Sequence, residues 1–188
     1  GGRLADGNPT DILEIYDPRQ DVWEKGTSLP KKISNYAMAD FEGKLFIFGG
    51  WDGEKPLTDV YVYDPEEDAW GERTPMGIAR QDAGAVALAD KIVVLGGRNA
   101  SGDLKDAKAY FPSRDVNDEN AWGDFIDLPN IYSHFDVVNV SEIIIIIGSI
   151  HQKRSDINSE FVAQLINDKW VTYNTQNFKN YGQIYITS

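Results

Sequence analysis

The sequence contains no cysteine, and this absence removes several classes of chemistry at once. Without thiols there are no disulfides, no Cys-ligated zinc sites, no thiol nucleophiles and no iron–sulfur clusters. Histidine and methionine are also scarce, with two residues of each among 188. A cysteine-free chain is compatible with oxidising and reducing surroundings alike, so the sequence does not indicate a compartment.

Positive charge is in short supply as well. The chain has 18 Lys and Arg against 30 Asp and Glu, which gives a net charge of −12. Nucleic-acid and anionic-membrane surfaces depend on an excess of Lys and Arg, so we expect no nucleic-acid partner and no membrane insertion. The most strongly apolar run, residues 143–147, is far shorter than the roughly 20 residues that span a bilayer.

What the sequence does contain is a repeat with a period of about 48 residues. Apolar segments end in a glycine pair at Gly49-Gly50 and Gly96-Gly97, with Gly1-Gly2 as an earlier copy and Gly148-Ser149 as a weaker one. Their first glycines are 48, 47 and 52 residues apart. Four tryptophans keep the same rhythm, with separations of 47, 52 and 48 residues: Trp23, Trp70, Trp122 and Trp170. Two independent landmarks with one period indicate a repeated structural unit.

The sequence pattern within each unit predicts four short strands. The apolar segments alternate with period two, are rich in β-branched and aromatic residues, and are bounded by polar connections that contain Gly, Asp and Pro. No apolar stripe of 3.6-residue period extends beyond two turns, so the predicted fold class is all-β. Because a single four-stranded sheet cannot bury both of its faces, we expect the sheets to stack face to face. The recurrent Trp and Tyr supply large apolar area for that contact.

The repeat resembles the kelch motif, the blade unit of kelch β-propellers. Three copies carry the resemblance, each as a glycine pair followed by a tyrosine and a tryptophan: Gly1-Gly2, Tyr16 and Trp23; Gly49-Gly50, Tyr63 and Trp70; Gly96-Gly97, Tyr110 and Trp122. The gap from Tyr to Trp is 7 residues in the first two copies and 12 in the third, so we predict an inserted outer loop over residues 113–119. The fourth copy departs most, with Leu165 in place of the tyrosine and only Trp170 retained.

The resemblance implies a kelch-type β-propeller of four-stranded antiparallel blades across residues 1–188. We expect about four blades, with repeats at roughly 1–34, 35–81, 82–133 and 134–179, and with residues 180–188 as the inner strand of a further or closing blade. The first repeat lacks its two inner strands, and propellers have roughly 4–8 blades. We therefore predict a partial propeller whose other blades come from the parent chain or from another chain.

The resemblance also implies where a ligand would bind. In kelch propellers the loops that follow the glycines and the loops that lead into the inner strands form one rim around the central channel. The predicted ligand-binding residues after the glycines are Arg3, Trp51, Arg98, Asn99 and His151, and those that lead into the inner strands are Asn35, Asp82, His134 and Asn180. Family members use Arg and Asn at such positions to hold acidic peptide motifs, and Arg is enriched in binding hot spots.

These residues predict a binding or scaffold module that recognises a protein or peptide partner through the rim. The alternative is a carbohydrate-active propeller enzyme, such as a sugar-acid mutarotase or epimerase, because that class also uses Arg and Asn at the rim. No nucleophile–base pair or pair of carboxylates stands out, so the sequence favours a non-enzyme and predicts no catalytic residue. The two histidines lack a recognisable third ligand, and residues 115–120 lack the Gly and Glu of a calcium loop, so we expect no metal and no cofactor.

Overall fold

The computed structural model describes residues 1–117, 119–150 and 159–174, and almost all of its regular structure is antiparallel β-sheet. Sheet 1 is a hairpin of β1 (Leu13–Asp17) and β2 (Val22–Gly26). Sheet 2 has four strands in chain order, β3 (Ala37–Phe41), β4 (Lys44–Phe48), β5 (Val60–Asp64) and β6 (Ala69–Arg73). The prediction of an all-β fold with four-stranded antiparallel sheets is confirmed.

The second half of the chain repeats this pattern. It contains β7 (Gly84–Ala87), β8 (Ile92–Leu95), the short hairpin of β9 (Arg98–Asn99) and β10 (Gly102–Asp103), β11 (Ala107–Tyr110), α1 (Pro112–Asp115) and β12 (Trp122–Asp124). These are followed by β13 (Ser133–Val140), β14 (Ile143–Ile150), β15 (Ser159–Ile166) and β16 (Lys169–Asn174). Strands β7, β8, β11 and β12 form sheet 3, and β13 to β16 form sheet 4. Within the described ranges, no helix is long and apolar enough to cross a bilayer.

Strand position explains the apolar patterns. The innermost strands β3 and β7 lie side by side, and β7 also neighbours β13, so the sheets follow one another around a common inner edge. In β3 the small residues Ala37 and Ala39 are buried, whereas Met38 and Asp40 between them are exposed. Strand β8 is buried along its whole length because neighbouring sheets cover both of its faces.

Among the residues that the structure describes, the core consists of three apolar clusters, one at each junction between successive sheets. The cluster between sheets 2 and 3 includes Phe46, Phe48, Val94 and Tyr110, with Trp122 at its margin. The cluster between sheets 3 and 4 is built on β8, β14 and β15, and the smallest one joins β1 to sheet 2. Burial of apolar area between sheets is therefore what stabilises the stack.

At two of these junctions, a set of hydrogen bonds fixes the relative position of the two sheets. At the junction of sheets 1 and 2, the Trp70 indole N–H donates to the Thr27 carbonyl at 2.8 Å. The Asp68 carboxylate accepts from the Thr27 N–H at 2.8 Å, from the Thr27 hydroxyl at 3.0 Å and from the Tyr63 hydroxyl at 2.6 Å. We call this arrangement the threonine clamp: a Tyr, Asp and Trp of one sheet hold the threonine that ends the preceding sheet.

The same clamp recurs between sheets 2 and 3 despite the longer third repeat. Here the Trp122 indole N–H donates to the Thr74 carbonyl at 3.0 Å, and the Asp115 carboxylate accepts from the Thr74 hydroxyl and N–H and from the Tyr110 hydroxyl. The extra residues form α1 and the turn after it, and the tyrosine still lies opposite the tryptophan in the ladder, as Tyr63 lies opposite Trp70. The insertion thus changes the outer loop and leaves the contact between the sheets intact.

Electrostatics supports the clamp. Burial, together with the hydrogen bond to Asp68, raises the pKa of Tyr63 to about 12, so this hydroxyl donates at every physiological pH. Hydrogen bonds from Tyr63 and Thr27 lower the pKa of Asp68. At Asp115, burial alone would raise the pKa, but hydrogen bonds from Thr74 and Tyr110 outweigh it and lower the pKa. Both aspartates are therefore ionised acceptors over the neutral range.

The clamp generates a stability prediction. Asp115→Ala removes the acceptor of the buried Tyr110 hydroxyl and of Thr74, so we expect the free energy of unfolding to fall by about 1–3 kcal/mol. The matched control is Asp21→Ala, because Asp21 is the equivalent residue of sheet 1 and its partner in the described residues is the hydroxyl of Tyr16. The control should change stability by less than about 0.5 kcal/mol. Urea unfolding measures both, and equal losses would contradict a role for the clamp in joining sheets.

Candidate functional site

The loops that follow the glycine pairs cross the loops that lead into the inner strands. The Trp51 N–H donates to the Ser34 carbonyl at 2.7 Å, and the Arg98 N–H donates to the Gln81 carbonyl at 2.8 Å. Glycine is required beneath these crossings, because a Cβ on Gly50 would lie 2.7 Å from the Ser34 oxygen. The φ of 103° at Gly50 is also unfavourable for other residues. The glycine pairs therefore bring the two kinds of loop together.

Backbone geometry explains two of the predicted residue types. Asn35 and Asp82 occupy equivalent positions and have φ values of 55° and 54°, in the left-handed region that Asn and Asp tolerate better than most residues. The Asp82 N–H donates to the Asn35 carbonyl at 2.9 Å. The lead-in loops of sheets 2 and 3 therefore lie next to each other, with these two side chains in contact.

Four predicted residues form one hydrogen-bonded line, which we call the rim row: Arg3, Asn35, Asp82 and Arg98. Arg3 Nη2 donates to Asn35 Oδ1 at 3.1 Å, and Asn35 Nδ2 donates to Asp82 Oδ1 at 2.5 Å. Arg98 Nε donates to Asp82 Oδ2 at 2.9 Å. The rim row therefore crosses three repeats and ends in an arginine on each side.

Trp51 extends the rim row at its Arg3 end. The Arg3 guanidinium carbon lies 4.9 Å from the centroid of the Trp51 ring, within the range of a cation–π interaction. Trp51 is partly exposed and Arg3 is exposed. An aromatic ring and a guanidinium are thus presented together at one end of the row.

The charged groups of the rim row differ in how accessible they are to a ligand. Burial alone would raise the pKa of Asp82, but hydrogen bonds from Gln81 and Asn35 and the adjacent Arg98 outweigh it and lower the pKa. Asp82 is therefore ionised, and both of its oxygens are occupied by partners of this chain. The Arg98 side chain is 57% exposed and uses Nε for Asp82, so its terminal nitrogens make no other hydrogen bond within the described residues. The arginines, and not the aspartate, are available to a ligand.

Of the remaining predicted residues, the structure describes the side chain of Asn99, which makes no hydrogen bond to the rim row. Asn99 Oδ1 accepts from the Ser101 N–H at 2.8 Å and so caps the turn between β9 and β10. The backbone of His134 belongs to β13, but its side chain lies outside what the structure describes. His151 and Asn180 lie outside the described residues altogether. No cluster of three His, Asp or Glu side chains that could hold a metal ion is present in the described part of the chain.

Arg80 is a positioning residue that sequence reasoning missed. Its side chain is 1% exposed, and Nη1 donates to the carbonyls of Gly96 and Asp106 at 3.0 and 3.1 Å. Nη2 forms an ion pair with the Asp106 carboxylate. Arg80 thereby holds the glycine pair that precedes Arg98. The sequence does contain a signal, because the apolar residue Ile33 occupies the equivalent position one period earlier, and the structure shows that Ile33 is fully buried.

Removal of the Arg80 side chain should therefore lower the free energy of unfolding much more than removal of a surface arginine. Arg80→Met leaves the buried carbonyls of Gly96 and Asp106 without their donor, and we expect the free energy of unfolding to fall by about 3–5 kcal/mol. Arg19→Met, in the exposed turn between β1 and β2, is the control and should change it by less than about 0.5 kcal/mol. Denaturant unfolding measures both. Equal stability of the two variants would contradict the positioning role.

Acid should break the hydrogen bonds of the rim row at a pH set by the pKa of Asp82. Because the folded pKa of Asp82 is lowered, its stabilising contribution is complete above the unfolded value near ~3.9 and is lost as the pH falls through the lower folded value. We expect the NMR signals of the Asn35 side-chain amide and the Arg98 Nε–H to titrate with a midpoint below that value. The control Asp82→Asn should lack the transition. A midpoint above ~4 would contradict the network.

Comparison with known proteins identifies the fold. Residues 33–77 match the family model described as Kelch motif. The chain is similar to the solved structure entitled "Structure of YjhT", a kelch-type propeller, with a TM-score of 0.67 and 13% sequence identity. The similarity covers 87% of this chain and 52% of the YjhT chain, so this chain spans about half the length of that protein. At this identity the likeness shows the fold alone. Residues 33–77 thus match the kelch motif, and the chain has the blade fold of a kelch-type β-propeller.

Proposed function

We propose that this chain is a binding module that recognises an acidic segment of a protein or peptide through the rim row. The observation that supports the proposal is the arrangement of Arg3 and Arg98 at the two ends of the row, with exposed guanidinium groups. Arginine presents several donors in a planar fork that matches carboxylate geometry. A carboxylate at each end of the row would meet such a fork.

The centre of the row supports binding more than proton transfer. A general acid or base works best with a pKa near the operating pH. The pKa of Asp82 is lowered, and its oxygens accept from Asn35, Gln81 and Arg98. Asp82 therefore acts as a fixed anion that holds Asn35 and Arg98 in place. This arrangement favours the binding module over the alternative of a sugar-acid mutarotase or epimerase.

Trp51 adds an apolar contact beside one charge. Aromatic residues and arginine are both enriched in interface hot spots, because they supply contact area and directional donors in one place. A segment in which an acidic residue stands next to an apolar one fits the Arg3 end best. The net charge of −12 slows the approach of an acidic partner, so recognition depends on short-range contacts at the row.

The proposal is tested with fluorescein-labelled peptides of fixed composition, one rich in Glu and Leu and one with Lys in place of Glu. Fluorescence anisotropy should report binding of the acidic peptide, and Arg3→Ala with Arg98→Ala should weaken it by at least about tenfold, since hydrogen bonds to charged groups contribute about 1.5–3 kcal/mol each. The matched control Arg19→Ala with Lys25→Ala removes the same charge from exposed positions of sheet 1.

Two outcomes would overturn the proposal. Equal binding by both double variants would show that net charge, and not the rim row, attracts the peptide. Anomer exchange in a panel of sugar acids, measured by NMR and lost in the Arg3 and Arg98 double variant, would instead support the enzyme. Both measurements use the whole chain.

A further inference from the structure

A cavity of about 370 Å³ lies at the junction of sheets 2 and 3, and we call it the junction cavity. Its walls come from the segment between β6 and β7, at residues 76–80, and from strands β11 and β12 with the turn before β12. Its described lining contains none of the four rim-row residues. The volume lies at the lower end of the roughly 300–1,000 Å³ that small-molecule sites occupy.

One part of the cavity wall carries a series of alternating charges. Arg80 Nη2 forms an ion pair with the Asp106 carboxylate, and Lys108 Nζ lies 3.3 Å from Asp106 Oδ2 and 2.8 Å from Asp124 Oδ1. The hydrogen bond between Lys108 and Asp124 raises the pKa of the lysine and lowers the pKa of the aspartate, so both are charged at neutral pH. Two cations and two anions cancel, so this wall presents polar groups without a net charge.

Three polar groups of this wall retain hydrogen-bonding capacity within the described part of the chain. Arg80 is 1% exposed, and its Nε–H is buried there without an acceptor. Asp124 uses Oδ1 for Lys108 and leaves Oδ2 open to solvent, with the side chain 95% exposed. Asn120 Oδ1 accepts from the Trp122 N–H at 3.3 Å, and Asn120 Nδ2 is not engaged among the described residues. The cavity therefore suits a ligand whose groups both donate and accept.

The cavity also has an apolar lining that includes an aromatic ring, formed by Met76, Ile78 and Trp122. The Trp122 ring packs against those of Phe48 and Tyr110, with centroids 6.0 and 5.0 Å away, and is only partly exposed. Its orientation is therefore fixed before a ligand arrives. A fixed aromatic ring offers a flat apolar surface at little cost in conformational entropy.

The equivalent location at the junction of sheets 1 and 2 is filled by apolar packing. Ile33 and Tyr61 occupy there the positions of Arg80 and Lys108, and both are buried in one apolar cluster. A buried ion pair seldom stabilises a fold more than apolar residues of similar volume. The charged pair between sheets 2 and 3 is therefore poorly explained by packing and is consistent with a ligand site.

We propose that the junction cavity binds one uncharged sugar residue in its pyranose form. The C–H face of a pyranose ring is apolar and fits against the Trp122 ring, whereas its hydroxyl groups both donate and accept, as the polar wall requires. A sugar acid fits less well, because its carboxylate would lie near the ionised Asp124 in a wall without excess positive charge. This site goes beyond the proposed recognition of an acidic segment, which uses the rim row.

The test is an NMR titration of the whole chain with the methyl glycosides of glucose, galactose and mannose, whose anomeric centres are blocked. For at least one glycoside we expect saturable shifts of the Asn120 side-chain amide and of the Gly77 and Gly123 N–H signals, with a dissociation constant on the order of 1 mM. Asp124→Ala should weaken binding by at least about fivefold, because it removes an acceptor. The matched control Glu24→Ala removes the same charge from an exposed position of sheet 1 and should leave binding unchanged.

A second variant narrows the cavity and leaves its polar groups in place. A Cβ added to Gly77 meets no other atom within 4 Å, so Gly77→Leu is compatible with the fold. We expect this variant to lose glycoside binding while its urea midpoint stays within about 0.5 kcal/mol of the parent chain.

Three results would overturn the proposal. In the first, none of the three glycosides shifts the cavity signals at about 50 mM, far above the expected dissociation constant. In the second, glucuronate binds as tightly as methyl glucoside, which would show that the site selects an anion. In the third, the glycosides shift the Arg98 Nε–H and leave the cavity signals unchanged, which would place sugar binding at the rim row. Peptide binding is measured separately and does not use the cavity, so the two proposals fail independently.

Discussion

This structure depends on the hydrogen bonds by which each of sheets 2 and 3 binds the threonine that ends the preceding sheet. Apolar packing between sheets supplies most of the stabilisation, but it is non-directional and leaves the sheets free to slide or rotate against each other. Tyr63 and Tyr110 are buried at their junctions, so their hydroxyls must find partners there. Because Asp68 and Asp115 each accept from a tyrosine and a threonine at once, only one relative position of the sheets satisfies all of them.

The rim row follows from that fixed position. Asn35 belongs to the loop that leads into sheet 2 and Asp82 to the loop that leads into sheet 3, and their side chains meet only because the sheets are held side by side. Arg80 adds a second constraint by anchoring the glycine pair before Arg98. The arginines at the ends of the row are consequently held at a set separation by the scaffold, which reduces the entropy lost when a ligand orders them. Fold and proposed function are linked through a few polar groups.

Sequence reasoning reached the architecture because the relevant signals are local. The glycine pairs, the alternating strands and the tryptophans can each be read within about ten residues, and their recurrence at one period confirms the others. The Tyr-to-Asp spacing of five residues, identical in three repeats despite the insertion in the third, is also visible. The role of this spacing is not visible in the sequence, because the threonine that the aspartate binds lies some forty residues earlier, at the end of another sheet.

Residue types and their period were thus enough to establish the all-β repeat, and the resemblance to the kelch motif placed Arg3, Asn35, Asp82 and Arg98 among the predicted ligand-binding residues. The order in which these four side chains meet was decided by the packing of sheet on sheet, as was the commitment of Asp82 to its neighbours. The same packing buries Arg80, which interrupts the apolar pattern of the repeat, and places it against the Gly96 carbonyl and the Asp106 carboxylate. Local patterns follow from the backbone geometry of single strands, whereas side-chain contacts across 32 or 47 residues exist only once separate sheets have docked.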